Sequence, residues 1–188
     1  MRRTTTLLAC LLLAGAAGCS SDSDDKPAVS KASAEPATSS PSPSPSASPS
    51  PDVFKLRDIA DITLDGLDFT ATVLAFKDRG ISGGPGLLND GQKWALAEVK
   101  VCNKDDESFG VTPFKWSLAY ADGARVEPTH VSGSGLPGPV YPLEATVKGG
   151  DCVRGNIFYQ VPPEGRAESV MYAPEGLDEP VEWELASS

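Results

Sequence analysis

The sequence predicts an all-β protein, an antiparallel β-sandwich preceded by a disordered tether. Three observations carry this expectation. From Val53 onward apolar residues alternate with a period of two rather than recurring at helical spacing. Glycine- and proline-rich breaks divide the alternation into seven or so short runs, the rhythm of a sandwich. Residues 19–51 are almost all Ser, Pro, Ala and Asp, too poor in apolar groups to offset the entropy of ordering.

The runs follow in order. Residues 67–76 place Phe69, Ala71, Val73 and Ala75 on one face, with Asp68, Thr70 and Thr72 opposite. Residues 93–103 place Ala95, Ala97, Val99 and Val101 inward; Trp94, Leu96, Glu98, Lys100 and Cys102 share the other face. Phe114, Trp116, Leu118 and Tyr120 alternate with Lys115, Ser117 and Ala119, and Asp122-Gly123 then supplies a hairpin turn. Residues 151–161 put Val153, Ile157, Tyr159 and Val161 on one side before Pro162-Pro163-Glu164-Gly165 ends the strand. Short runs at 169–172 and 181–185 close the series. Residues 56–62 admit a short helix.

The N-terminus reads as an address. Arg2 and Arg3 precede an apolar stretch at 7–17, too short for a membrane span, which needs about 20 residues. It ends Ala16-Ala17-Gly18-Cys19-Ser20, which resembles the lipobox of bacterial lipoproteins, with Ala16 where Leu is usual. That resemblance implies a signal peptide at 1–18, acylation of Cys19 and a lipid anchor on the outer face of the cell membrane. The alternative is an ordinary secretory signal cut near Ala17. Residues 20–51 hold twelve serines and seven prolines. Extended near polyproline II, at ~3.1 Å per residue, this tether reaches at most ~100 Å. Residues 52–188 remain for one folded domain.

Charge excludes partners. The chain carries -10, and without Arg2 and Arg3 it holds 14 basic against 26 acidic residues, or -12. Phosphate recognition needs a concentrated basic surface, so nucleic acid is not expected. Electrostatic adhesion to anionic lipid is disfavoured for the same reason.

A family resemblance rests on ordered features rather than one motif. These are Gly91-Gln92-Lys93-Trp94 leading to Val101-Cys102-Asn103, then Tyr120-Ala121-Asp122-Gly123, then 155–162, and Trp183-Glu184-Leu185. Together they resemble the immunoglobulin-like domain of unknown function on Gram-positive, actinobacterial-type lipoproteins, over about residues 60–186. That family is related in fold to a secreted mycobacterial immunogenic antigen. The resemblance implies an immunoglobulin-like β-sandwich and an extracellular location, and it brings no catalytic residue.

Four cysteines reduce to one pair. Cys10 leaves with the signal and Cys19 takes the lipid, so Cys102 and Cys152 remain in an exported domain, where pairing is expected. Cys102 shares its face with Glu98 and Lys100, and Cys152 with Arg154 and Asn156. The expected bridge is therefore within one sheet, on its outer face, unlike the buried inter-sheet bridge of antibody domains.

Candidate chemistry is sparse. His130 is the single histidine, and Ser132 and Ser134 lie near it without the G-x-S-x-G spacing of a nucleophile elbow. One histidine and two paired cysteines do not make a zinc site, and no metal or other cofactor is expected. The glycine-rich stretch at 80–86 has no following Lys-Ser/Thr to cradle phosphate. It is instead the most plausible contact loop, with Leu87 and Leu88 beside it and 137–142 as a second candidate. Asp105-Asp106-Glu107 and Glu179, Glu182 and Glu184 suit solvated faces, with weak calcium binding or glycosidase chemistry as alternatives. Glu182 and Glu184 alternate as on the wet face of an edge strand. The expected protein is a non-catalytic binding module for a wall polymer or exported protein; the alternative is an extracellular hydrolase acting on wall glycans or esters.

Overall fold

The first long hairpin forms because Asp65 and Gly66 both take positive φ, 52° and 78°, as a two-residue type I′ turn requires. It joins Ile59–Leu64 to Leu67–Lys77 in a computed structural model that describes residues 28–31, 53–84, 86–130 and 135–186. Twelve strands occur among the described residues: β1 (Ala28–Lys31), β2 (Phe54–Lys55), β3 (Ile59–Leu64), β4 (Leu67–Lys77), β5 (Lys93–Asn103), β6 (Phe109–Val111), β7 (Trp116–Ala119), β8 (Arg125–Val126), β9 (Ala145–Val147), β10 (Cys152–Val161), β11 (Ser169–Tyr172) and β12 (Val181–Glu184). One sheet, sheet A, runs β1-β3-β4-β5-β10; the facing sheet B runs β2-β12-β11-β7-β8, and β6 pairs β9 separately. Pairing is antiparallel throughout both large sheets except between β2 and β12, which are parallel. The all-β, immunoglobulin-like sandwich expected from the sequence is the fold.

Alternation explains the core. Ala95, Ala97, Val99 and Val101 of β5 are fully buried, and Ile157, Tyr159 and Val161 of β10 join them. From sheet B come Trp116, Leu118, Val170, Tyr172 and Trp183. Trp116 stacks near Tyr172 (4.3 Å between centroids) and Trp183 (5.8 Å), while Phe54 meets Trp183 at 5.6 Å. The Trp183 indole N–H donates to the Asp58 carbonyl at 3.0 Å, so its polar edge is satisfied while its rings exclude water.

Five expectations change. Residues 56–62 are not helical: a turn leads into β3, and the helical element among the described residues is a 3₁₀ turn at Pro113–Lys115. Phe114 therefore leaves the alternation and lies exposed on that turn. In β4, a bulge after Val73 puts Ala75 opposite Glu98 and Phe76 opposite Ala97. Ala75 leaves the core face and Phe76 packs on the core instead, because one extra residue reverses the pleat. Arg57 N, itself at φ 75°, donates to the Val73 carbonyl at the bulge (2.7 Å). β12 is flanked on both sides, by β2 and β11, rather than being an edge; Glu182 and Glu184 are nonetheless on its wet face. Finally, the tether is not free of order throughout. Ala28–Lys31 adds to sheet A as β1, and Val29, the one large aliphatic residue of 20–51, packs against the main core.

Candidate binding surface

A second, smaller cluster sits on the outer face of sheet A. Trp94 and Leu96 of β5 and Phe158 of β10 are buried there, with Trp94 and Phe158 edge to face at 6.2 Å. Ile81, Leu88, Leu136 and Val140 cover them from two long loops. Side-chain amides fasten these loops to the sheet. Gln160 Oε1 accepts from Asn89 N and Gln160 Nε2 donates to the Leu87 carbonyl, both at 2.9 Å. Asn156 Nδ2 donates to the Pro137 carbonyl at 3.0 Å.

Glycine lets the loops meet. Gly84 N donates to the Gly135 carbonyl at 3.1 Å, and a Cβ at Gly83 would lie 1.6 Å from that same oxygen. The glycines at 83–84 thus serve a backbone-to-backbone crossing, which neither phosphate chemistry nor simple mobility requires. Leu88 folds back into the cluster. Leu87 remains 41 % exposed at its rim.

The predicted disulfide is present. Cys102 and Cys152 are directly paired across β5 and β10, with Cα atoms 4.0 Å apart. Both point to the outer face, opposite buried Val101 and half-buried Val153. Beside them Arg154 makes two contacts to Glu98 Oε1, from Nε at 2.8 Å and Nη2 at 2.6 Å. Cys19 lies outside the described residues.

The acidic run at 105–107 is held as a turn. Buried Asn103 donates from Nδ2 to the carbonyls of Glu107 (2.5 Å) and Val147 (3.2 Å), and its Oδ1 accepts from Asp105 N (2.8 Å). Asp105 in turn accepts from Asp106 N (2.8 Å) and Asp68 N (3.3 Å). These carboxylate oxygens satisfy one backbone N–H group of their own loop and one of β4. Among the described residues no group of three or more His, Cys, Asp or Glu is arranged to hold a metal ion. Nearby, Lys104 donates to Asp61 at 2.9 Å, a contact that raises the Lys104 pKa, and Thr63 Oγ1 donates to Asp68 at 2.6 Å. With Ser30 and Phe69 these residues line a shallow depression along β3.

His130 stacks on Phe114 with centroids 4.5 Å apart; Ser132 and Ser134 lie outside the described residues. A serine does meet a carboxylate elsewhere. Ser169 Oγ, fully buried, donates to Glu182 in a depression of about 470 Å³ that Arg166 and Glu184 also line. Sequence reasoning did not foresee this pair, because Ser169 and Glu182 meet only through the β11–β12 register. Nor did it foresee the Trp94 cluster, although apolar Trp94 and Leu96 on a face otherwise carrying Glu98 and Lys100 are the signal of a covered end.

A secreted protein of Mycobacterium tuberculosis, MPT63, shares the fold with a TM-score of 0.57 at 17% identity, over 73% of this chain and 100% of that one. The yjhA protein of Bacillus subtilis aligns at 14% identity over 71% of this chain and 100% of its own, with a TM-score of 0.49. No match is found among curated proteins. Residues 61–180 match a family profile described as a domain of unknown function, DUF4352, and the chain belongs to that family.

Proposed function

We propose that the protein is a lipid-anchored, cell-surface binding module without catalytic chemistry. Acylated Cys19 holds it on the outer face of the bacterial membrane, and the loop-built face over sheet A takes a wall polymer or an exported protein. The observation that carries this reading is the packing of two loops into a small core of their own, with Leu87 left exposed at the rim. Such a surface is pre-formed, so little ordering entropy is spent on binding. Acidity suits the location: residues 53–188 hold 12 basic and 21 acidic residues, which keeps the domain off anionic lipid. Capture from intact cells tests it, with wild type compared against Leu87→Glu. A partner enriched by wild type and lost with the variant supports the reading; identical recoveries refute it.

A hydrolase is the second reading, and the Ser169–Glu182 contact is what favours it. Ester and glycan hydrolysis by purified protein, abolished in Ser169→Ala, would establish it. Serine nucleophiles are activated by a base such as histidine in the familiar triads, and here the hydroxyl meets a carboxylate. The binding reading therefore stands first.

A further inference from the structure

The two edges of sheet A are protected differently. Along β10, Tyr141 N donates to the Asn156 carbonyl (3.0 Å) and Asn156 N to the Pro139 carbonyl (2.8 Å), while Thr129 N donates to Phe158 O (2.8 Å). Residues built into the domain thus cover that edge. Along the outer edge of β3, the one away from β4, pairing among the described residues comes from β1 alone, and β1 belongs to the tether. Its register sets Val29 against Ile62 and Ser30 against Asp61. The one large aliphatic residue in a segment of 32 is seated where it gains burial, on the edge that most needs a neighbour.

We propose that the β3 edge is a strand-receiving site whose ligand is the tether's own Ala28–Lys31 segment, and that docking sets the length of the tether. Four paired residues with one apolar anchor form a small cooperative unit, which opens without unfolding the domain. With β1 docked, residues 20–27 alone separate Cys19 from the sheet, at most ~30 Å of extended chain. With β1 released, the whole tether spans up to ~100 Å. The domain therefore has a near and a far position from its attachment point. The membrane half of this statement rests on the acylation of Cys19 proposed above; the docking half does not.

Two measurements on the unacylated chain from residue 19 onward, oxidised at Cys102–Cys152, test the docking. First, spin labels at Cys19 and at Asp122→Cys report a distance distribution. A short, narrow population is expected, and it is lost in Val29→Pro/Ser30→Pro. Consecutive residues of a strand aim their N–H groups at opposite edges, so this double change removes a ladder donor whichever way β1 faces. These positions lie outside residues 61–180, so the domain's melting temperature reports that it still folds. Equal, broad distributions in both proteins would overturn the proposal. Second, in a Cys19→Ser background, Ser30→Cys and Asp61→Cys face each other. Crosslinking within one chain supports docking in cis, whereas disulfide-linked dimers would overturn it by showing that the edge takes the strand of a second copy. Intact mass of the cell-derived protein decides acylation separately, so loss of the anchor reading leaves the docking result standing.

Discussion

Cys102 and Cys152 lie directly opposite each other on β5 and β10, bonded on the solvent side of the sheet whose inner side carries Val101 and Val153. The bridge links positions 50 residues apart. By loop-closure entropy it contributes about 2–4 kcal/mol. Cys102→Ala/Cys152→Ala is expected to lose that much in urea denaturation while keeping its β-sheet circular dichroism, because the inner faces of both strands are untouched. An unchanged midpoint would show that the bridge is stabilising nothing.

Gly155 carries a steric requirement. A Cβ there would lie 2.4 Å from Tyr141 N and 2.6 Å from its Cα, where the chain closes the β10 edge. Gly155→Ala is expected to cost about 1–3 kcal/mol by overpacking. Gly110→Ala, which meets nothing within 4 Å, is the control and should stay within about 0.5 kcal/mol of wild type.

Alkaline pH should unfold the domain cooperatively. Burial pushes the phenols of Tyr141, Tyr159 and Tyr172 up from their ordinary value, with Glu127 adding to the effect at Tyr159 and Tyr172 at Tyr141. In the unfolded chain these groups lose protons near pH ~10, so the folded state then binds more protons and stability falls as pH rises. Lys104, raised by its hydrogen bond to Asp61, has the same sign, though its exposure keeps the contribution small. Tyrosinate absorbance should therefore rise together with loss of sheet structure. Full ionisation of all four tyrosines in a folded domain would contradict the burial described here.

Trp94 anchors the loop-built face. Trp94→Ala is expected to cost about 3–5 kcal/mol, because Trp94 is buried as a core tryptophan is. Hydrogen exchange should quicken first at 81–88 and 135–140, while 95–101 of β5 stays protected.

Much of this was legible beforehand, for a physical reason. The inner faces of β5 and β10 obey strict alternation because each is packed on one side by a sheet, so Val99, Val101, Ile157 and Tyr159 could be assigned, and Cys102 and Cys152 with them. The bulge after Val73 broke the same rule in β4, since nothing local in Val73-Leu74-Ala75 marks an extra residue. Asp65-Gly66 carries a hairpin signal that the reading of 56–62 as a short helix leaves unused, and it argues for β3 instead. β1 was hidden because its pairing depends on an edge that exists only after folding. The Ser169–Glu182 contact was hidden likewise, by a register no local pattern encodes. At the loop-built face, Leu87 and Leu88 are legible as apolar residues beside the glycine-rich stretch, but their division into one buried and one exposed required the outer-face cluster.

The central claim is that the loop face over sheet A contacts a partner in the cell envelope. A photo-crosslinking residue placed at position 87 in intact cells tests it most directly, with position 122 on the β7–β8 turn as the control. The account predicts one reproducible adduct from position 87 that is absent from position 122. Equal, non-reproducible labelling from both positions would contradict it.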